Sequence, residues 1–326
     1  MMKDNPLISI ITINCNQSAA TNEFLESMQK VTWKNIEIIV VDNDSAIRDF
    51  RNIHNNYKNA RIIRSEKNLG FAGGNNLGIV NSYGEYLLFI NNDTEVEPDF
   101  LEPLVASFED DLTLGLASPK IKFFNSPDKN TILYAGGSRP DLLSGISQFK
   151  GFMEPDYGKY DKSEYTDMIH GAAVMVPRRL LKETGIWPDI YFLYYEEIDL
   201  CETFKRKGFT LKYVHDSVVY HKESMLVEKT SVLRTYYMSR NRLLFIRRNL
   251  KGMKKAIGII IYVLLSVPKN SLRFLIKSEF NLLKALWKGL GWHMTNFGNI
   301  HNSPILIGVD GHQEITDNCL LNNAIS

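Results

Sequence analysis

Short apolar runs rich in β-branched residues recur along the first ninety residues of the chain. They span 8–13, 36–41, 60–63 and 86–90. The segment 20–33, between the first two runs, places four apolar residues at helical spacing: Phe24, Leu25, Met28 and Val31. Strands that alternate with helices predict an α/β fold, in which a mostly parallel Rossmann-like sheet is flanked by helices.

Polar side chains follow three of these four predicted strands. Asn14 and Asn16 follow the first strand, residues 42–45 follow the second, and residues 91–93 follow the fourth. Because the carboxyl ends of parallel strands face one edge of a sheet, we expect these side chains to form one ligand site. Any single ending is equally well explained as a turn, since Asn and Asp favour turns.

The segment 68–79, "NLGFAGGNNLGI", contains four glycines in twelve residues. Glycine permits positive φ and lets backbone amides approach a phosphate or a sugar closely. The segment lacks the Walker lysine and does not place G-x-G-x-x-G after the first strand. It therefore predicts either a ligand loop or a turn that starts a helix.

The segment 192–208 predicts a helix that ends at Gly208. Its apolar stripe includes Glu197, so we expect that carboxylate to point inward, where it needs a partner or a chemical task. Glu196 and Asp199 fall on a neighbouring face, where acidic residues in a first turn also complement the helix dipole.

The rest of the first 221 residues shows weaker patterns. Residues 121–168 have no clear periodicity and predict loops, whereas residues 170–185 predict a strand followed by a short helix. One more predicted strand ends at His221, which is either a surface residue or a metal ligand.

The composition is that of a folded protein, with 326 residues, 44% apolar and 23% charged. Cys15, Cys201 and Cys319 are odd in number and far apart, which argues against a disulfide framework and a paired-thiolate zinc site and favours the reducing cytoplasm. The first apolar run, 7–13, is too short for the core of a signal peptide and continues into polar residues.

Charge is distributed unevenly along the chain. Residues 1–221 carry 23 Lys and Arg against 31 Asp and Glu, whereas residues 222–300 carry 15 against 3. The apolar run 256–268 has 13 residues, fewer than the ~20 that span a bilayer. We therefore expect 241–300 to form basic amphipathic helices that associate peripherally with the anionic inner face of the cell membrane. A helical subdomain packed on the core, or a homodimer interface, would show the same pattern.

Six stretches, in this order, match a family: "ISIITINCNQ", "IEIIVVDNDS", "NLGFAGGNNLGI", "LLFINNDTEVEPDFL", "GAAVMVPRRLL" and "FLYYEEIDLCETFKRKGF…VVYH". The chain resembles family-2 glycosyltransferases of the GT-A fold, particularly the rhamnosyltransferase-like branch that builds bacterial surface polysaccharides such as O-antigen. The likeness covers about residues 5–250. It implies a catalytic domain at 1–240, with a nucleotide-sugar half at about 1–100 and an acceptor half at about 101–240, and leaves 301–326 as a tail.

The resemblance implies inverting transfer of a sugar from a UDP- or dTDP-sugar to a hydroxyl of a glycan or lipid-linked acceptor, with Mg²⁺ or Mn²⁺. No nucleic-acid partner is expected. Two alternatives remain: a non-catalytic nucleotide-sugar-binding scaffold, and a sugar nucleotidyltransferase. The latter requires a phosphate loop rich in Gly and Arg or Lys after the first strand, and residues 14–23 contain none.

The resemblance also implies roles for individual residues. Asp93 is the retained acid of the family's DXD motif and the implied metal ligand, with His221 as a second ligand. Glu197 stands at the position of the catalytic base, with Asp199 and Glu196 as its rivals. The predicted donor-binding residues are Asn14, Asn16, Asp42, Asn43, Asn68, Gly70, Gly74, Asn75, Asn91 and Asn92.

Overall fold

The computed structural model describes residues 5–46, 60–126, 129–139, 147–222, 231–298 and 300. These residues form one ten-stranded sheet with helices on both faces. The strands are β1 (Ile8–Asn14), β2 (Ile36–Asn43), β3 (Ala60–Ser65), β4 (Tyr86–Ile90), β5 (Thr94–Val96), β6 (Leu114–Phe123), β7 (Ile132–Tyr134), β8 (Glu164–Tyr165), β9 (Ala173–Pro177) and β10 (Thr210–His221).

The strand order is β3-β2-β1-β4-β9-β6-β10-β5, with β7 paired to β6 and β8 paired to β10. The first four strands of this order are parallel, and β9 runs antiparallel between β4 and β6. The predicted mostly parallel α/β sheet is therefore confirmed, and the carboxyl ends of β2, β1 and β4 lie side by side.

The helices are α1 (Ser18–Met28), α2 (Gly70–Val80), α3 (Leu101–Asp110), α4 (Leu181–Thr184), α5 (Glu196–Arg206), α6 (Val232–Asn249), α7 (Gly252–Ile261), α8 (Val267–Ile276) and α9 (Phe280–Thr295). Short 3₁₀ turns span Arg178–Leu180 and Asp189–Tyr191, and a π-helical segment spans Tyr262–Ser266. Because this π-helical segment joins α7 to α8, the chain is helical without a break from Gly252 to Ile276.

The centre of the sheet is buried on both faces, which explains why β1, β2, β4 and β9 are mostly apolar. Ile8 and Ile10 of β1 pack with α1 and α3 on one face, whereas Ile11 packs with α2, α5 and α6 on the other. Leu244 and Phe245 of α6 belong to this second core. The helix that carries them is thus part of the main fold.

The expectation of loops throughout 121–168 is wrong in three places. The strand β6 continues to Phe123, and β7 and β8 also lie in this range. By contrast, the pattern at 170–185 is confirmed, because β9 is followed by a short helix that stops at Gly185, where φ is 76°.

The predicted domain boundary at 240 falls inside α6. Leu243 and Ile246 of this helix pack against Tyr262, Val267 and α9 in a second cluster, while its opposite face packs on the main core. The basic helices therefore adjoin the core through a shared helix. The predicted tail, 301–326, lies outside the described residues, as does Cys319.

Within the described part of the chain, Gly252–Ile276 is the one helix long and apolar enough to cross a membrane. It has 25 residues, a mean hydropathy of 1.6 in its most apolar window, and 17% of that window buried. At 1.5 Å per residue its length is about 38 Å. The expectation that this apolar run is too short to span a bilayer is wrong, because the helix extends beyond 256–268 at both ends.

Candidate active site

Polar residues from three strand ends meet at one edge of the sheet. The strands β1 and β2 pair so that Asn14 lies opposite Asp42. The strand β4 lies on the other side of β1, with Phe89 opposite Ile11, so residues 91–93 leave the sheet beside Asn14. The parallel register therefore collects these side chains as their positions in the sequence predict.

Asp42 is fully buried and faces a positively charged side chain. Its Oδ2 lies 3.2 Å from Nη1 of Arg64, which stands directly opposite Asp42 on the adjacent strand β3. Its Oδ1 lies 3.5 Å from Nδ2 of Asn14. Arg64 is a site residue that the sequence analysis missed, because only the register of β2 against β3 places it there.

Asn14 and Asn16 shape the turn that follows β1. Asn14 donates through Nδ2 to Oγ of Ser45 at 3.1 Å and accepts at Oδ1 from Oγ1 of Thr21 at 3.0 Å. Asn16 has a φ of 57°, and its Oδ1 accepts the backbone N–H of Ala46 at 2.7 Å. Both predicted donor-binding residues hold together the loops that surround Asp42.

A second amide network fixes the start of α2. Nδ2 of Asn43 donates to Oδ1 of Asn68 and to the carbonyl of Gly70, both at 3.1 Å. Its Oδ1 accepts the backbone N–H of Leu69 at 2.8 Å. Asn92, which is buried, donates to Oγ1 of Thr21 at 2.9 Å and so faces α1.

The glycines of α2 allow close packing. Gly70 has a φ of 71°, and a Cβ there would lie 2.2 Å from the carbonyl oxygen of Phe192. A Cβ on Gly74 would lie 2.9 Å from Cδ1 of Ile13. The neighbouring Asn75 is buried, and its Nδ2 has no hydrogen-bond partner among the described residues.

Asp93 and His221 form a pair at the end of β10. Nε2 of His221 lies 3.0 Å from Oδ1 of Asp93, and Nδ2 of Asn91 lies 3.2 Å from the same Nε2. The Asp93 side chain is 31% exposed, whereas His221 is buried. Burial acts to raise the pKa of Asp93, but the hydrogen bond and charge of His221 outweigh it and hold that pKa below its usual value.

This pair fits a divalent cation. In octahedral coordination of Mg²⁺ or Mn²⁺, with metal–ligand bonds of ~2.1 Å, two adjacent ligand atoms lie about 3 Å apart. Oδ1 of Asp93 and Nε2 of His221 are separated by 3.0 Å, which matches this spacing. A 180° rotation of the Asn91 side-chain amide would turn its oxygen, instead of its nitrogen, towards the pair, where the oxygen could serve as a third metal ligand. The described residues contain no group of three or more His, Cys, Asp or Glu side chains arranged to hold a metal ion. A cation here would therefore take further ligands from substrate phosphates and water.

The first two residues of α5 are carboxylates in different surroundings. Glu196 is 4% exposed, and its burial, followed by the nearby charge of Glu197, raises its pKa well above the usual value. Glu197 is half-buried. Burial raises its pKa, and this effect outweighs the hydrogen bond from its own backbone N–H, which lowers the pKa. The prediction that Glu197 is the inward carboxylate is wrong, because Glu196 and Asp199 are the buried ones.

Asp199 is buried because α6 covers it. Its Oδ2 accepts hydrogen bonds from Nη2 and Nε of Arg248, at 2.8 and 3.2 Å, and its Oδ1 accepts one from Asn249. Both oxygens are thus engaged by α6, and Asp199 serves to join α5 to that helix.

The segment before α5 has an unusual backbone. Three of its non-glycine residues have φ between 65° and 78°: Phe192, Tyr194 and Tyr195. Such conformations persist only where the surroundings enforce them. Here the enforcing group is the side-chain amide of Asn241 in α6, which donates to the carbonyl oxygens of Tyr191, Leu193 and Tyr194.

Residues 170 and 171 lie between the carboxylates of α5 and the Asp93–His221 pair. The ring centroid of His170 is 6.2 Å from that of His221, and a Cβ on Gly171 would lie 3.7 Å from Cβ of Glu197. Neither residue was predicted to belong to the site. Because β9 runs antiparallel to β4, the residues that precede β9 lie beside the residues that follow β4. The sequence does not show this strand orientation, so the position of residues 170 and 171 could not be predicted.

Comparison with known proteins identifies the family. Residues 9–179 match the model described as Glycosyl transferase family 2. An uncharacterized glycosyltransferase of Rickettsia typhi is 29% identical over 63% of this chain and 61% of its own length. The low-salt glycan biosynthesis hexosyltransferase Agl10 of Haloferax volcanii is 24% identical over 63% of each chain. The chain thus spans about three fifths of the length of these curated relatives.

Solved structures share the fold. The structure of S. aureus TarS 1-349 superimposes with a TM-score of 0.55 at 16% identity, covering 86% of this chain and 79% of that one. Mannosyltransferase PcManGT from Pyrobaculum calidifontis, in complex with GDP-Man and Mn²⁺, gives 0.53 at 14% identity, covering 89% and 75%. Since the family model matches more than half of the residues, this chain belongs to glycosyl transferase family 2.

Proposed function

We propose that this chain transfers a hexosyl or deoxyhexosyl group from a nucleoside-diphosphate sugar to a hydroxyl of a glycan or lipid-linked glycan acceptor, with inversion. The observation that supports this proposal is the contact of residues 170 and 171 with both groups: His170 lies beside His221, and Gly171 lies beside Glu197, so the proposed metal pair and the proposed base are close neighbours. PcManGT with GDP-Man and Mn²⁺ supports the class of donor and cation, as does GalNAc-T7 with UDP, GalNAc and Mn²⁺.

On the donor side, Asp42 binds the nucleotide base, and Arg64 orients its carboxylate from the adjacent strand. Asp93 and His221 would hold the divalent cation, and a bound cation would supply positive charge to stabilise the leaving diphosphate.

On the acceptor side, Glu197 takes the proton of the incoming hydroxyl. A nucleoside diphosphate is an activated leaving group, so the reaction requires a base but no general acid. Burial raises the pKa of Glu197, which makes it a stronger base than an exposed glutamate. Glu196 is more deeply buried, and burial favours its neutral form, so Glu197 is the carboxylate that accepts the proton. Attack from the side opposite the diphosphate inverts the sugar carbon.

The test is transfer by Glu197→Gln over a panel of nucleotide sugars with Mn²⁺. We expect transfer to fall by about 10²-fold or more while donor binding, measured by thermal shift, is retained. Glu183→Gln, an exposed glutamate of α4, is the matched control and should transfer normally. Unchanged transfer by Glu197→Gln would show that the base is another group.

The alternative of a non-catalytic nucleotide-sugar-binding scaffold is motivated by Asn91, an amide at the first position of the DXD-like motif. Donor binding by the wild-type chain without transfer or hydrolysis of any donor would favour that alternative.

A further inference from the structure

The exposed apolar side chains of this protein are concentrated in its last helices. Among the described residues, 22 large hydrophobic side chains are exposed, and 16 of them lie in 231–298. We call the exposed side of Gly252–Ile276 the outer face; it includes Ile257, Ile260, Leu264, Leu265, Leu272 and Leu275. Leu264 and Leu265, at the middle of the helix, are each 64% exposed. A continuous apolar surface of this kind indicates an interaction site.

The opposite side of the same helix is attached to the protein along its length. Tyr262, Val267 and Phe274 pack against Leu243 and Ile246 of α6, together with two leucines of α9. The Tyr262 hydroxyl also donates to the carbonyl of Ser239 at 2.8 Å. A helix that crossed a bilayer would have to leave these contacts, because lipid would surround it. A helix lying flat on a membrane keeps them.

The outer face is bordered by positive charge. Lys251 and Lys254 precede it, Lys269 and Arg273 lie in its second half, Lys277 follows Ile276, and Lys284 and Lys288 belong to α9; all seven are exposed. No acidic residue in the described part of the chain lies within salt-bridge distance of these seven side chains. An isologous dimer through this face would bring like charges together, whereas an anionic bilayer complements them.

We propose that the outer face lies in the interfacial layer of an anionic lipid bilayer, with the helix axis parallel to the membrane plane. The apolar side chains enter the boundary of the acyl chains, and the lysines and arginines contact the lipid phosphates. Trp287 and Phe280 of α9, which are 55% and 62% exposed, continue the surface with the aromatic residues that favour this layer.

The test is co-sedimentation of the full chain with phosphatidylcholine vesicles that contain or lack phosphatidylglycerol. We expect binding to the anionic vesicles that weakens several-fold between about 0.05 and 0.5 M salt, because the lipid charges become screened. The Leu264→Gln/Leu265→Gln double variant should bind about tenfold more weakly or worse, since two large apolar side chains no longer enter the lipid. Leu112→Gln/Tyr157→Gln, two exposed positions of the main fold, is the matched control and should bind normally.

A second variant, Lys254→Gln/Lys269→Gln, changes only exposed charges. It tests the proposal independently if the leucine variant does not fold. It should lose affinity at low salt and differ little from wild type at high salt. Equal binding of wild type to neutral and anionic vesicles would overturn the proposal. A dimer in lipid-free solution that Leu264→Gln/Leu265→Gln dissociates would identify a second copy of the chain as the occupant, and would also overturn it.

The depth of the helix distinguishes lying flat from spanning. Leu265→Trp, in a Trp287→Phe background, places a fluorophore at the helix centre, and the quenching of this fluorophore is obtained by subtracting the signal of Trp287→Phe alone, which retains Trp33, Trp187 and Trp292. Brominated lipids should quench it most strongly when the bromines are near the headgroups. Strongest quenching by bromines near the bilayer centre would show a transmembrane helix and refute the in-plane orientation.

Discussion

Nδ2 of Asn241 lies 2.8 Å from the carbonyl oxygen of Tyr194, so α6 is bonded to the residue two positions before α5. The same amide also reaches the carbonyls of Tyr191 and Leu193. Because α6 packs on the proposed membrane-docking helix through its other side, it connects that helix to the carboxylates of α5. We infer that Asn241 is a positioning residue for Glu197.

Replacing Asn241 should therefore impair turnover more than donor binding. In Asn241→Ala, one buried and two partly buried carbonyls lose a donor, and the segment before α5 can relax from its positive φ angles. We expect kcat to fall about tenfold or more, donor KM to stay unchanged, and the free energy of unfolding to drop by about 1–3 kcal/mol. Steady-state kinetics and urea unfolding measure these quantities.

Ser239→Ala is the control for that variant. Ser239 is also buried in α6 and also bonds to carbonyls, of Tyr236 and Leu286, but it does not contact the segment before α5. It should lose stability with an unchanged kcat. A similar kcat in Asn241→Ala and wild type would limit Asn241 to a role in stability.

The first half of the fold could be predicted because β1, β2 and β4 are largely buried, so the residues of each run indicate a strand without information from distant segments. The runs in β1, β2 and β4 are mostly apolar, and each either ends in Asn or, in β4, is followed directly by Asn91. Parallel pairing then leaves little freedom in where Asn14, Asp42 and Asp93 lie.

Other features depend on contacts between distant segments and could not be predicted. The strand β6 contains Gly115 and Pro119, and its glycine is required by the ring of Phe204, since a Cβ there would lie 2.5 Å from Cδ1. The burial of Asp199 depends on Arg248, which is 49 residues away in sequence. The helical periodicity of α5 does not show that α6 packs over Asp199.

Asn91→Asp should strengthen metal binding. Asn91 lies 3.2 Å from Nε2 of His221, so a carboxylate there adds a charged oxygen beside the proposed metal pair. We expect Mn²⁺ affinity to rise about tenfold, because ligand charge tunes divalent-cation affinity. Calorimetry of the donor-free chain measures this without relying on activity. Asn92→Asp is the control, since Asn92 faces Thr21 and should not tighten binding. Equal Mn²⁺ affinity in wild type and Asn91→Asp would place the metal elsewhere.

His293 should make the protein less stable in acid. Its Nδ1 accepts a hydrogen bond from Arg247 at 2.7 Å and its Nε2 donates to the carbonyl of Arg240 at 2.8 Å. Burial, and then the charges of these arginines, lower its pKa from 6.5 to about 4. Between these values the unfolded chain binds a proton that the folded chain does not, so stability falls as the pH falls, by up to about 3 kcal/mol.

Urea unfolding at about pH 7 and about pH 5 measures the contribution of His293. The loss of stability on acidification should be smaller in His293→Gln, whose amide can still accept from Arg247 and donate to Arg240. His215→Gln, a histidine in β10 away from α9, should behave like wild type. The same pH dependence in His293→Gln and wild type would contradict the assignment.

Glu196→Gln should stabilise the protein at neutral and alkaline pH. Burial, and then the charge of Glu197, raise the pKa of Glu196 above its usual 4.5, so the folded chain holds a proton that the unfolded chain releases. Stability therefore falls as the pH rises from 4.5 through the raised value, by ~1.4 kcal/mol for each unit of the shift. The amide keeps the neutral form at every pH, so thermal unfolding should give equal stability for variant and wild type near pH 4 and a growing advantage for the variant above it.

Glu183→Gln, an exposed site, should show no such divergence. If Glu196→Gln is instead destabilised equally at all pH values, then the carboxylate is ionised in the folded protein and stabilised by a partner.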